Sequence, residues 1–367
     1  MAGRAIVPLL LHEVPDGGAA SLSQLLDART RAGTLVQGAT DGAVRCVACG
    51  HRCLVKPGRR GICKVRFNRD GVLRVPADYV AALQCDPTEK KPFFHCLPGS
   101  DTLTFGMLGC DFHCGYCQNW LTSQALRDDA AGVSPTDVTA DGLAALAVRQ
   151  GARMVGSSYN EPLITAEWAI EVFRAARARG LKTAFISNGN ATPEVLDYIR
   201  PWTDCYKIDL KAMDDHRYRE LGGVLRHVLD AIRMVHERGF WLEVVTLIVP
   251  GFNDDDAQLT RAAEYIASVS PEIPWHVTAF HPDYRMTEPV PTPPETLVRA
   301  CELATRAGLK FVYAGNQPGR VGRWEHTYCP DCGDRLIERA GYVIRTQRVG
   351  ADGRCPSCGR RIPGVWC

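Results

Sequence analysis

The residues best able to do chemistry in this 367-residue chain are its 16 cysteines, because they are grouped rather than scattered. Cys110, Cys114 and Cys117 follow a C-x3-C-x2-C spacing with no fourth cysteine close by. Three thiolates are one short of a closed site, so a cluster held by them keeps one metal open to substrate or cofactor. Cys329, Cys332, Cys355 and Cys358 form two C-P-x-C-G steps separated by 22 residues. Such paired steps suit one tetrahedral ion, zinc in preference to a single iron, with glycine letting backbone amides turn toward the sulfurs. Cys46, Cys49, Cys53 and Cys63 offer another four ligands. Zinc is the first reading there, and a second cluster, of iron and sulfide, that relays electrons is the other. Cys85, Cys96, Cys205 and Cys301 lack partners at ligand spacing and read as small buried hydrophobes. Cys367 is left without a role. In a reducing compartment, grouping of this kind indicates metal ligation rather than disulfides.

The remaining composition narrows the class. Apolar residues make up 46% and charged residues 23%, which excludes a disordered or collagen-like chain. A net charge of +2 leaves no whole-protein field for nucleic acid or an acidic membrane. No run of 18 apolar residues occurs, so no bilayer span is expected. The apolar stretch Ala5–Leu11 contains Pro8 and is too short for a secretion signal, so a cytoplasmic location is expected.

Short apolar runs at Leu103–Met107, Arg153–Ser157, Lys182–Ser187, Cys205–Leu210, Trp241–Val249, His276–Phe280 and Lys310–Tyr313 read as strands. Helical segments lie between most of them; Ala166, Ala169, Ile170, Phe173 and Ala176 form one apolar stripe. This alternation predicts parallel βαβ units, in an open sheet or an incomplete barrel, with the ligand site at the C-terminal strand ends. A helix is expected around Ser21–Arg31, and Asp86–Gly99, with three prolines and a Glu-Lys-Lys run, is expected to be extended and surface-lying. Three segments follow: 1–100 with a cysteine-rich metal-binding part, a core over 101–322, and 323–367. The last is too short for its own hydrophobic core, so a metal is expected to stabilise it.

With an aromatic, Tyr116, just before its last cysteine, the C-x3-C-x2-C loop resembles the signature of radical S-adenosylmethionine (SAM) enzymes. Asp86-Pro-Thr-Glu-Lys-Lys-Pro92, Tyr159-Asn-Glu-Pro162, Ser187-Asn-Gly189, Asp209-Leu-Lys211, Val249-Pro-Gly251 and Phe280-His-Pro282 extend the match. In that order they are similar to the radical SAM enzyme of the AmmeMemoRadiSam system, a branch related to pyruvate formate-lyase activases. Asp111, where many relatives have Asn, and Cys96, where an aromatic is common, depart from the pattern. The resemblance implies a partial (β/α)6 TIM-type barrel with an N-terminal cysteine-rich extension and a C-terminal zinc-ribbon-like domain. It implies a [4Fe-4S] cluster on Cys110, Cys114 and Cys117 that reductively cleaves SAM to a 5′-deoxyadenosyl radical. It also implies an electron donor such as ferredoxin or flavodoxin, and association with the other proteins of the system.

Residue roles follow from position and resemblance together. Tyr116, Glu161, Ser187, Asn188, Asp209 and Lys211 are the expected SAM contacts, Glu161 accepting from the SAM ammonium. Glu161 is alternatively a first-turn helix residue, and Asn188-Gly189 a plain turn. Asp209 and Lys211 share one strand face and must meet each other or a ligand, with ligand contact preferred. His281 is a candidate proton-transfer group or a structural histidine. Three functions remain: hydrogen abstraction from an unidentified substrate, activase chemistry on a glycyl-radical partner, and a zinc-ribbon scaffold binding RNA or protein. An electron carrier that leaves SAM intact is a weaker fourth. The ribbon has few aromatics and only a small basic excess, so nucleic acid is disfavoured.

Overall fold

A computed structural model describes residues 21–38 and 40–367. Ala5–Leu11 lies outside them. Packing divides the chain into two compact units. The first comprises residues up to Asp86, Asp101–Asp204 and Leu221–Gly223; the second comprises Pro87–Ser100, Cys205–Glu220 and Val224–Cys367.

In the first unit, the parallel strands β1 (Asp101–Gly106), β2 (Met154–Ser157) and β3 (Lys182–Ser187) lie side by side in chain order. Helices α1 (Ala140–Arg149), α2 (Ala166–Arg177) and α3 (Pro193–Ile199) intervene or follow. Thr139 caps α1 by accepting from Gly142 N, and Thr192 caps α3 by accepting from Val195 N with Pro193 at its first turn. The predicted stripe of α2 is its buried face, with Trp168 and Phe173 packed edge-on to Phe105 of β1. Leu22–Ala28 is the expected early helix, closed by a Ser21–Gln24 capping box. A small antiparallel sheet carries Cys46, Val44–Cys46 pairing with Val36–Gly38 and Leu54–Val55, and Cys49, Cys53 and Cys63 lie outside its strands.

A buried ion pair ties this cysteine-rich part to α2. The Arg66 guanidinium grips both Glu167 oxygens at 2.7 and 2.8 Å and donates to Ile164 O at 3.0 Å. Leu35 N adds a bond to the same carboxylate. Burial alone would raise the Glu167 pKa, but Arg66 holds it below the ordinary range.

The second unit repeats the alternation. Strands β4 (Cys205–Asp209), β5 (Trp241–Ile248), β6 (Trp275–Ala279) and β7 (Val312–Gly315) run parallel in chain order, separated by α4 (Leu225–Glu237), α5 (Asp256–Val269) and α6 (Pro294–Arg306). All seven predicted strands are therefore strands, shifted by a few residues. The C-terminal residues form the antiparallel meander Thr327–Tyr328, Arg335–Ala340 and Val343–Gln347. Its apolar side joins Leu336, Ile337, Val349 and Ile362 to Phe94, Phe311 and Tyr313 in one cluster, so packing as well as metal can hold it.

Residues 87–99 differ from expectation: Thr88, Glu89, Phe93, Phe94, His95, Cys96 and Leu97 are buried. The prolines and lysines mask an apolar run that the second unit encloses. Its polar groups are satisfied by Glu243, which accepts from Phe94 N, His95 N, Trp241 Nε1 and His276 Nε2 at 2.6–3.0 Å. His95 Nδ1 must donate to Pro363 O, so its Nε2 accepts from Tyr313 OH. Arg339 donates to Phe94 O and to Thr327 Oγ1, completing a network that staples the meander to this run. Cys96, Cys205 and Cys301 are buried as expected, whereas Cys85 is half-buried. Among the described residues, no helix is long and apolar enough to cross a membrane.

Candidate functional site

The Cys110–Cys117 loop leaves the C-terminal end of β1. Gly109 opens it at φ +90°, where an added Cβ would lie 2.9 Å from Cys63 O and 2.7 Å from Val65, so only glycine fits. Cys114 and Tyr116 are buried, while Cys110 and Cys117 are half-buried. Phe112 N donates to Cys110 Sγ at 3.5 Å, and Ser123 Oγ lies 3.2 Å from Cys117 Sγ. Burial, then Asp111 and Glu161, push the Cys110 thiol well above its ordinary pKa. A bare thiolate is disfavoured there, and a cationic metal would relieve it.

The ends of β2 and β3 bring three predicted residues together. Glu161 accepts from Ser187 Oγ at 2.8 Å, Asn188 N at 2.7 Å and Leu163 N at 3.0 Å. It thus also caps the turn Pro162–Thr165, the local role weighed against ligand contact. Asp111 completes this cluster, accepting from Asn188 Nδ2 and Asn190 Nδ2, each at 2.8 Å. It is fully buried. Burial first, and then repulsion from Asp111, push the Glu161 carboxyl up to about 8. A buried carboxyl group pushed up in this way beside a second buried carboxyl group makes a site suited to a cation. Asp111 and Asn190 were not among the predicted site residues; the sequence offered only the departure from Asn at 111.

The second unit holds the other two. Asp209 ends β4 and bonds Lys211 Nζ at 3.5 Å and also Lys207 Nζ, so the pair meets each other and a third charge. Burial opposes ionisation of Asp209, but Lys207 and Lys211 keep its pKa below the ordinary value. The alternation Lys207-x-Asp209-x-Lys211 was the available signal for Lys207. Asn253 fixes the Lys211 backbone by donating to Lys211 O at 2.7 Å. His281 is exposed, with its Nδ1 3.3 Å from Pro282 O.

The C-terminal thiols converge. Cys329 and Cys358 sulfurs are 3.6 Å apart, Cys332 and Cys355 sulfurs 3.7 Å, and all four lie within 4.8 Å of one another. Tetrahedral bonds of about 2.3 Å place sulfurs roughly 3.8 Å apart, so one Zn²⁺ or Fe ion fits this set. Gly333 and Gly359 close the knuckles at φ +74° and +76°, each donating to the first cysteine's carbonyl at 2.9 Å. Among the described residues, no other cysteine group converges this tightly.

Comparison with known proteins then gives four findings. The Radical SAM superfamily pattern matches residues 105–263. The chain is 36% identical over 327 residues to an uncharacterized protein of Methanocaldococcus jannaschii, covering 88% of this chain and 96% of that one. It is 26% identical to the pyruvate formate-lyase 1-activating enzyme of Escherichia coli over 236 residues, 59% of this chain and 93% of that one. Among solved structures, a domain of a pyruvate-formate lyase-activating enzyme from Bacteroides vulgatus is similar at 23% identity and a TM-score of 0.40, over 44% of this chain and 98% of that chain.

Proposed function

Because this chain belongs to the radical SAM superfamily and is an enzyme of that type, we propose that Cys110, Cys114 and Cys117 hold its [4Fe-4S] cluster and that Glu161, Ser187 and Asn188 bind SAM. When bound and reduced, these cofactors supply a 5′-deoxyadenosyl radical able to abstract hydrogen. The protein's part is to bind, orient and exclude water. The buried Glu161–Asp111 pair carries the reading, since a ligand with ammonium and sulfonium charges offsets the burial and the repulsion from Asp111 that together raise Glu161. Ser187 and Asn188 hold the Glu161 carboxylate in place, and Asn190 does the same for Asp111. We assign Tyr116 to the same loop's cofactor wall, and Asp209 and Lys211 to contacts at the β4 end.

In this proposal the core over 101–322 is a partial (β/α)6 barrel, and 1–100 and 323–367 are metal-binding additions, the latter carrying zinc. The reductant is a ferredoxin or flavodoxin, and the cellular setting is the AmmeMemoRadiSam system, in the cytoplasm. The substrate is a molecule that yields a hydrogen atom. A second reading, activation of a glycyl-radical enzyme, is favoured by the likeness to the Escherichia coli activating enzyme. Anaerobic reduction with SAM, followed by chromatography for 5′-deoxyadenosine, tests the shared step. Its absence from cluster-loaded protein would refute both readings; a glycyl radical formed on an added partner would select the second.

A further inference from the structure

We propose that Cys46, Cys49, Cys53 and Cys63 hold a second [4Fe-4S] cluster beside the Cys110 loop, and that an electron enters the enzyme through it. This replaces zinc, the first reading from the sequence, and the electron-transfer part rests on the cluster assignment at Cys110, Cys114 and Cys117. The chain folds the four thiols into one place. Cys46 N donates to Cys53 O at 2.9 Å, and Arg52 N to Cys49 O at 3.0 Å, turning the first three cysteines around a common centre. Ile62 N donates to Cys53 Sγ at 3.5 Å, which brings in the Gly61–Lys64 turn with Cys63. Yet among the described residues these four form no set as tight as the C-terminal four. One ion needs that convergence, whereas a cubane of four irons sits between more widely spaced ligands. His51 Nε2 is buried with no hydrogen-bond partner among the described residues. An inorganic sulfide supplies the acceptor it lacks.

Two braces join this site to the Cys110 loop. Arg127 donates to Ile62 O at 2.6 Å and to Phe112 O at 2.8 Å, and Cys63 O abuts Gly109. Three of the thiols are buried, and Cys53 is the half-exposed one, in a loop with exposed Lys56, Arg59 and Lys64. That charge fits an acidic one-electron carrier protein. The carrier is oxidised by one electron, the outer cluster passes from the 2+ to the 1+ state, and it returns to 2+ as the cluster on the Cys110 loop is reduced to 1+.

Metal analysis and ⁵⁷Fe Mössbauer spectra of the full chain, prepared without oxygen, test this beside two variants. One is Cys110→Ala/Cys114→Ala/Cys117→Ala; the other is Cys46→Ser/Cys63→Ser. The intact chain should contain about eight irons and about one zinc, and each variant about four irons with cubane parameters. An intact chain with about four irons and about two zincs, and no iron in the triple variant, overturns the proposal. Iron retained in the triple variant but absent from Cys46→Ser/Cys63→Ser supports this site while refuting the Cys110-loop assignment. If the latter variant fails to fold, the triple variant still decides. Reduced flavodoxin should then give the triple variant an electron paramagnetic resonance signal; silence in the presence of its cubane would overturn the entry route.

Discussion

The two ends of the metal chemistry differ in how far the fold brings sulfur together. In the C-terminal meander four thiols meet at 3.6–3.7 Å across two glycine-closed knuckles, and two of them, Cys332 and Cys358, are exposed. In the β1 loop three thiols form no set as tight as that among the described residues, and the buried carboxyl groups Asp111 and Glu161 lie nearby. The first arrangement is closed and redox-silent when it holds zinc, and adds stability. On the proposed assignment the second leaves a coordination position and places negative charge where a cationic ligand would enter. A cysteine count does not separate these cases; sulfur spacing and the charge beside it do.

Reciprocal substitutions would break the comparison if it is wrong. Cys114→Ala should lower 5′-deoxyadenosine formation by a factor of about 1,000 or more, equivalent to about 4 kcal/mol or more, with the thermal midpoint almost unchanged. Cys329→Ser should do the opposite. Chemical denaturation should show a loss on the order of 5 kcal/mol together with the bound C-terminal ion, while cleavage per folded chain persists. If the two effects were exchanged, the roles assigned to the two regions would be exchanged too.

Smaller effects sharpen the picture. Arg66→Ala leaves the Glu167 carboxylate buried without its cation and should cost about 3–5 kcal/mol by denaturant titration. The second unit should lose stability in acid. Burial holds His95 down to about 4 in the folded chain, against an ordinary value of 6.5. Between those limits the unfolded state binds the proton and the folded state does not, so the stabilisation is complete above pH 6.5 and declines toward pH 4. The loss is about 3 kcal/mol. A flat stability profile over that range would show that the Glu243–His95–Tyr313 network does not constrain the protonation of His95.

Much of this was legible in the sequence, for physical reasons that also explain the omissions. The seven strands and the α2 stripe declare themselves through period, and the knuckle glycines through their place after cysteine. Glu161, Ser187 and Asn188 could be placed because each ends or closely follows a strand. Asp111 could not be: its partners are Asn188 and Asn190, 77 and 79 residues away, and nothing local marks that contact. The buried run Phe93–Leu97 was hidden by its polar flanks, since burial there depends on Glu243 from a distant strand meeting its amides. Thiol convergence is equally long-range, which is why spacing alone left zinc and a cluster open at the N-terminal group and zinc and a single iron open at the C-terminal one.

The most direct test of an open iron at the β1 loop uses SAM labelled with ¹⁵N at its amino group and electron–nuclear double resonance on the reduced, cluster-loaded protein. Coordination through that loop predicts a ¹⁵N hyperfine coupling that disappears in Cys114→Ala. A well-developed reduced-cluster signal with SAM present and no nitrogen coupling would contradict it.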